Sequence, residues 1–346
     1  MNLPTLSKKP PRPRVLLAPM EGVVDWVLRD TLTRMGGLDQ CVTEFMRVTN
    51  MLLPAHLFYD LAPELNTNSK TAAGTPVFYQ LLGGQPEPLA QNAVRAVELG
   101  ACGIDLNFGC PAKTVNRHDG GATLLQYPDR LFDIVSAVRK ALPAHIPVTA
   151  KMRLGFMEAN LYFENAKALE EAGATWITVH ARTKADGYKP PAYWEKLAEI
   201  RESVKVPVIG NGEVWTLTDY IRIREISGCQ DIMIGRACLA NPFLFQEIKA
   251  YLDGKESLKS SPAKALALVP PFFAASEKYR HSKYAVQRSK QWIKQLSLFH
   301  PELEQIFNSL KILIEPEEFR RALTLAAENF SPTEINYSSL VEVNSL

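Results

Sequence analysis

Residues 103–117 read GIDLNFGCPAKTVNR, and the way this stretch changes character decides the fold. It opens on an apolar run, Gly103-Ile104-Asp105-Leu106, which predicts a short buried strand. The run then breaks at Asn107-Phe108-Gly109-Cys110-Pro111, where neither strand nor helix can continue. Gly109 permits backbone angles closed to other residues, and Pro111 pushes Cys110 out of the helical region. A basic polar tail of Lys113, Thr114, Asn116 and Arg117 follows, then Gly120-Gly121 and a helix of apolar period. The cysteine in the loop, beside an amide and a lysine, is a candidate reactive group. Taken alone it reads more readily as a small buried hydrophobe.

The same strand–loop–helix unit recurs along the chain. Apolar, β-branched runs lie at 14–19, 41–45, 76–82, 103–107, 147–152, 175–181, 206–211 and 231–235. Helical patterns separate them, such as 88–99, 131–142, 163–172 and 217–226. Eight alternating units predict an α/β fold whose parallel sheet closes into a (β/α)8 TIM barrel. A doubly wound open sheet is the alternative, but it seldom runs to eight even units, and no GxGxxG follows the first strand.

Nearly every candidate strand ends in a polar or glycine-bearing cluster that a purely structural barrel would not require. In chain order these are Ala18-Pro19-Met20-Glu21-Gly22; Glu44 and Arg47; Gln80; Asn107 and Cys110; Lys151 and Arg153; His180 and Arg182; Asn211-Gly212-Glu213; and Gly235-Arg236. In barrels of this kind the C-terminal strand ends converge on one mouth, where active sites sit. Glycine turns after strands seven and eight are the usual phosphate site, because exposed backbone N–H groups meet the anion there. Either turn alone reads as structural; together they predict a phosphorylated cofactor or substrate. Lys151 is expensive to bury unless it meets an anion or an electron-rich ring. His180 reads equally as a satisfied core histidine.

Composition bounds the class. With 346 residues, 46% of them apolar and 22% charged, the chain suits one large domain or a large and a small one. The five cysteines (Cys41, Cys102, Cys110, Cys229 and Cys238) form no CxxC pair, which predicts a reducing compartment with neither disulfides nor a metal cluster. There is no apolar run of about 18 residues and no secretory signal, so a cytoplasmic protein without a membrane span is expected. Net charge is +2, of which residues 1–14 supply +4 and no acid, leaving −2 for the rest. Any basic surface must be local. Residues 1–13 are expected to form a flexible lead-in.

Composition shifts at 252–262, LDGKESLKSSP, which reads as a linker. Apolar spacing near 3.6 then predicts helices at 263–279, 284–298, 302–314 and 317–328. The chain is thus expected to divide into a barrel domain at 14–253 and an all-helical domain at 254–346. Within 276–300 six basic residues, Lys278, Arg280, Lys283, Arg288, Lys290 and Lys294, face one acid, Glu277, with Tyr279, Tyr284 and Trp292 interleaved. A charge run is usually a solvated helix face; concentrated beside aromatics in one module, it predicts an RNA-binding surface.

These motifs resemble those of the tRNA-dihydrouridine synthases, over residues 18–311. They are LLAPMEGVVD from Leu16, TEFMRV from Thr43, QLLG from Gln80, DLNFGCPAKTVN from Asp105, then GGATLL, KMRLG, VHARTK, NGEV and MIGR. The APMEG start, TEFMRV and RSKQW (from Arg288) are similar to the subgroup that modifies the uridine at position 16 of the tRNA D-loop; sister subgroups act on neighbouring D-loop uridines. Phe108 departs from close relatives, which often carry another cysteine there, and extra residues precede Arg14 and follow residue 330.

The resemblance implies an FMN-binding barrel with a C-terminal helical domain. FMN, reduced by NADPH (or NADH), would give a hydride to C6 of the uracil, and Cys110 would protonate C5. It implies that Ala18, Pro19 and Met20 line the flavin, that Gln80 meets its pyrimidine edge, and that Lys151 stabilises its reduced charge. His180 lines the same mouth, while Asn211, Gly212, Glu213, Gly235 and Arg236 hold the ribityl chain and phosphate. Asn107 and Tyr188 would meet the substrate nucleotide. Arg47, Arg288, Lys290, Gln295 and Lys311 would orient the tRNA, as partner to a monomer, with no DNA and no membrane involved. An extruded D-loop uridine is cheap to reach compared with a paired base. Two other readings stay open: an FMN barrel acting on a small molecule, which would not need the basic helical module, and a catalytically silent tRNA-binding protein.

Overall fold

The protein is represented by a computed structural model that describes residues 12–256 and 260–330. Residues 1–11 of the expected lead-in lie outside the described residues, as do 257–259 and 331–346 of the expected helical domain.

Eight parallel strands close into a barrel in sequence order: β1 Val15–Leu17, β2 Gln40–Arg47, β3 Val77–Leu82, β4 Ile104–Phe108, β5 Val148–Arg153, β6 Ile177–His180, β7 Val208–Asn211 and β8 Ile232–Ile234. β8 returns to pair with β1, so no sheet edge is left open. Because every strand runs the same way, the polar clusters that end them arrive at one rim. Three strands extend past their predicted ends, β5 by the single residue Arg153. In β4 the period of two continues through Phe108, which is buried and lies opposite Met152. In β2 the register against β3 shifts between Val42 and Phe45, and pairing resumes as far as Arg47, opposite Leu82.

The barrel interior is layered. Its floor is apolar: Phe78 stacks on Trp176 with ring centroids 5.3 Å apart, and Leu16, Val42, Ile209 and Met233 pack with them. Beneath the floor Arg14 lies 4.8 Å from the Trp176 ring and donates through Nε to Asp231 at 2.8 Å. Gly103 is required here, since a Cβ at that position would sit 2.5 Å from the Phe78 ring. Gly103→Ala is therefore expected to lose about 1–3 kcal/mol of stability in urea unfolding, as overpacking does in a rigid core. An unchanged midpoint would mean that the floor can yield. Above the floor the interior turns polar, with Gln80, Asp105 and Thr149, then Asn107, Lys151, His180 and Asn211.

The covering helices start where local chemistry allows. Asp25 caps Trp26–Met35 by accepting from the Leu28 N–H at 2.9 Å. Prolines open Pro86–Glu98 and Pro128–Ala141, where a missing N–H costs nothing. Thr216 and Asp219 form a reciprocal cap on Leu217–Ser227. The buried Leu131, Ile134, Val135 and Val138 show the three-and-four spacing that turns one face of Pro128–Ala141 inward.

The chain forms two compact units. One comprises the described residues up to Gly235 with Phe245–Glu256; the other comprises Arg236–Leu244 with the described residues after 259. Residues 236–244, which the sequence assigns to the barrel, thus group with the helical unit. That unit contains Pro262–Ala267, Val269–Tyr279, Ser282–Phe299, Glu304–Leu310 and Pro316–Asn329. The single helix expected at 263–279 is two. Pro270 and Pro271 have no N–H to give to the preceding turn, so they open a new helix at Val269. Phe272 meets Trp292 edge-on at 4.8 Å inside the unit. Among the described residues no helix is long and apolar enough to cross a membrane.

Candidate active site

The site is built on the loop that leaves β4. Asn107, the last inward-facing residue of the strand, accepts through Oδ1 from the N–H groups of Gly109 at 2.9 Å and Cys110 at 3.0 Å. Asn116 closes the loop from the other side. Its Nδ2 donates to the Cys110 carbonyl at 3.0 Å and to that of Ala112 at 2.7 Å, while its Oδ1 accepts from the Thr123 N–H at 2.8 Å. The Ala122 N–H adds a second bond to the Cys110 carbonyl at 3.1 Å. Gly121 backs the turn at φ +62, where a Cβ would lie 2.9 Å from that same carbonyl. The half-buried thiol of Cys110 thus rises from a main chain fixed on both sides. Burial pushes this thiol up, and the nearby Glu21 adds to it, against the Ala112 N–H, Arg153 and Lys151. It is held in its protonated form.

Behind the loop stand the inward residues of β3, β5 and β7. Asn107 Nδ2 donates to Gln80 Oε1 at 2.9 Å. Lys151 lies opposite Asn107 in the sheet and donates through Nζ to Asn211 Oδ1 at 3.1 Å; Asn211 Nδ2 donates to the Met233 carbonyl at 2.8 Å. Burial, aided by Arg153, brings the Lys151 ammonium down to about 8, with Asp105 and Cys110 opposing. A cation so poorly solvated favours any anion or electron-rich ring brought beside it.

Two arginines tie the rim together. Arg153 donates through Nε to the Gly109 carbonyl at 2.9 Å, and through Nη1 to Thr183 at 3.0 Å and Gly187 at 2.9 Å. Its guanidinium lies 5.3 Å from the Tyr188 ring. The cysteine loop and the loop carrying Tyr188 are therefore clasped by one side chain. Arg182 is fully buried and donates to the Lys189 carbonyl at 2.7 Å and to the Glu213 carboxylate. Tyr188 keeps half its surface exposed, 6.1 Å from the His180 ring.

Glycines stand at both of the phosphate-type turns. Gly212 adopts φ +120 with the His180 ring only 2.9 Å from where a Cβ would sit, and Trp194 Nε1 donates to its carbonyl at 2.9 Å. Gly235 faces Ala18 and Met20, whose nearest atoms would lie 3.5 and 3.6 Å from an added Cβ. Ala18 donates its N–H to Ile234 at 2.8 Å, so Ala18-Pro19-Met20 lies alongside β8. Gly22 donates its N–H to Glu44. Arg47 is half-buried at the end of β2.

The structure thus brings Ala18, Met20, Gln80, Asn107, Cys110, Lys151, His180, Tyr188, Asn211, Gly212, Glu213 and Gly235 to one end of the barrel. Pro19 and Arg47 belong to the same unit, whereas Arg236, Arg288, Lys290, Gln295 and Lys311 belong to the helical unit. Arg236 precedes the short helix Ala237–Ala240. Arg288 is only 6% exposed, its guanidinium 5.7 Å from the Phe272 ring, and it donates to Gln291. Lys290 donates to the Leu313 carbonyl at 2.5 Å and is half-buried. Gln295 is half-buried, and Lys311 is exposed with Nζ 2.7 Å from Asn308 Oδ1. The basic helix is therefore partly structural. Its Arg288 acts in packing as well as charge.

Sequence reading missed Asn116, because an asparagine after a basic stretch reads as a turn residue, and Asp105, whose place inside an apolar strand was the available signal.

Comparison with known proteins agrees with the geometry. The profile of the family described as dihydrouridine synthase (Dus) matches residues 16–339. A tRNA-dihydrouridine(16) synthase of Pseudomonas syringae pv. tomato is 52% identical over 298 residues, covering 86% of this chain and 94% of the relative. That of Shewanella oneidensis is 48% identical, covering 92% and 99%. Among solved structures, a 2-naphthoyl-CoA reductase complex superposes with a TM-score of 0.51 at 14% identity, covering 70% of this chain and 50% of that one. Histamine dehydrogenase from a Rhizobium species gives 0.51 at 14%, covering 75% and 48%. The chain spans about half the length of these two structures, and they speak for the barrel alone.

Proposed function

The chain belongs to the dihydrouridine synthase family, and from that premise we propose that it converts the uridine at position 16 of the tRNA D-loop to 5,6-dihydrouridine. The observation that carries the reading is a protonated thiol, Cys110, fixed at the barrel mouth by Asn107 and Asn116 and facing a Lys151 in need of an anion.

A flavin mononucleotide fits the residues present. Lys151 supplies a poorly solvated cation, Gln80 an oriented amide, and Gly212 and Gly235 backbone without a side chain at the two turns. Ala18, Pro19 and Met20 would line its ring, with Asn211, Gly212, Glu213, Gly235 and Arg236 on its ribityl and phosphate. When bound and recharged by NADPH, it supplies the hydride for C6 of the uracil. Cys110 gives the proton that C5 receives, and it needs no neighbouring base, since the acid form already prevails. Asn107 and Tyr188 hold the uracil nucleotide, and the clasp of Arg153 keeps their two loops in step. Arg47 and the helical unit's Arg288, Lys290, Gln295 and Lys311 orient the tRNA so that one uridine enters; phosphate contacts set register without reading sequence.

The test is nucleoside mapping by mass after incubating the protein, NADPH and unmodified tRNA. A gain of two hydrogens confined to position 16 is expected. A gain at position 17 or 20 instead would retain the chemistry and sink the position. No gain, from protein that still oxidises NADPH, would favour a small-molecule reductase. Lys311→Ala, which removes an exposed charge, is expected to weaken tRNA binding and lower the slope of log affinity against log salt by about one, with thermal stability unchanged. An unaltered slope would remove Lys311 from the contact surface.

A further inference from the structure

One carboxylate in the barrel has no part in the steps above. Asp105 stands in the middle of β4, 2% exposed, and its two oxygens have different partners. Oδ1 accepts from the Thr149 hydroxyl at 2.6 Å, and Oδ2 accepts from Gln80 Nε2 at 2.7 Å. The N–H groups of Gly109 and Cys110 can only donate, so Asn107 must turn Oδ1 to them, at 2.9 and 3.0 Å. That leaves Asn107 Nδ2 for Gln80 Oε1 at 2.9 Å and turns the Gln80 NH2 end to Asp105. Burial raises the Asp105 carboxyl, and in either protonation state it offers Gln80 an acceptor oxygen. Neither amide has a choice of ends. The bonds run unbroken from the main chain under the thiol to Asp105.

The geometry points to Asp105 as a positioning residue for proton transfer: through Gln80 and Asn107 it fixes the main chain that presents Cys110. With an apolar side chain at 105, the fully buried Gln80 amide would hold a donor without an acceptor. It could recover a partner only by turning its NH2 toward Asn107. Asn107 would then have to offer its oxygen to Gln80 and its own NH2 to two N–H groups, which cannot accept. The mismatch falls on the loop that carries the reactive sulfur.

This inference rests on Cys110 being the proton donor, and its test separates the two half-reactions of the flavin-loaded enzyme. In Asp105→Leu, formation of dihydrouridine by pre-reduced enzyme in a single turnover is expected to slow by about ten- to a hundredfold. With flavin supplied at saturation, because Gln80 also faces it, flavin reduction by NADPH and tRNA affinity are expected to stay within about twofold. Asp105→Asn is expected to recover most of the loss, because its oxygen can still accept from Gln80 while its NH2 donates to Thr149. A merely structural role would lower both half-reactions together with thermal stability, and that result overturns the inference. So does an Asp105→Leu enzyme with a normal uridine step. If Asp105→Leu does not accumulate as folded protein, Thr149→Val serves: a severalfold loss confined to the uridine step supports the role, and no loss overturns it. Wild-type enzyme run alongside keeps the failures apart. No dihydrouridine from wild type overturns the functional reading and the inference with it; active wild type beside an equally active variant overturns the inference alone.

Discussion

Cys110→Ala is expected to keep the flavin and bind tRNA as wild type does, yet form dihydrouridine about 10²–10⁴-fold more slowly. The substitution removes only the sulfur. The contacts of Asn107, Asn116 and Ala122 use the main chain of residue 110, its N–H and its carbonyl, and survive, while the Ala112 N–H alone loses the sulfur it meets. A proton donor must hold its proton at working pH and still be able to give it up. Burial lifts the thiol above its ordinary value of about 8.5, so the acid form prevails throughout the neutral range. The thiol should accordingly leave the uridine step level through the neutral range and lower it only at alkaline pH, as the proton is lost. Cys110→Ser keeps an O–H, but a far weaker acid, and should fall between the two. Single-turnover assays with pre-reduced enzyme isolate this step. If Cys110→Ala reduces uridine normally there, the thiol is not the donor, whatever the steady-state rate does.

The barrel was legible because its signal is periodic and repeated. Ile104, Leu106 and Phe108 alternate with Asp105 and Asn107, and eight such segments leave few topologies open. The positions of Gln80, Asn107, Cys110, Lys151 and Asn211 at one end follow once the strands are parallel. Three things were not legible. The division of the helix at Val269 turns on Pro270 and Pro271, whose neighbours keep the apolar spacing, so the periodicity ran across the break. The burial of Arg288 depends on Phe272, a contact between helices that no local pattern carries. The roles of Asn116 and Asp105 are hydrogen-bond roles. They depend on which atom faces which, and sequence spacing gives the residue but not the direction of its amide or carboxylate.

Arg29→Met is expected to cost about 3–5 kcal/mol of stability, although Arg29 lies outside the site. Its guanidinium is fully buried and grips Glu64 with two bonds, Nε to Oε1 at 2.8 Å and Nη2 to Oε2 at 3.0 Å; the Glu64 side chain is only 7% exposed. It also donates to the carbonyls of Val24 at 3.0 Å and Leu61 at 3.2 Å. Methionine fills similar space but leaves a buried carboxylate and two carbonyls without their donor. The ion pair of Arg34 with Asp30, one turn along the same helix, is the control. It is as short, at 2.7 Å, but its side chains are 62% and 24% exposed. Water screens it, and Arg34→Ala should cost only about 0.3–0.5 kcal/mol. The contact distances are comparable, so burial, with the second Glu64 bond and the two carbonyls that the substitution strands, sets the expected tenfold difference in cost. Removing both partners, in Arg29→Met with Glu64→Leu, should return much of the loss, because no charge is then left stranded. The local effect should reach the cofactor: Val24 closes the turn that Met20 opens, its N–H bonded to the Met20 carbonyl at 2.8 Å. Arg29→Met should therefore release flavin more readily than Arg34→Ala at equal temperature, and equal losses from the two variants would refute the assignment of the buried pair as the anchor of that turn.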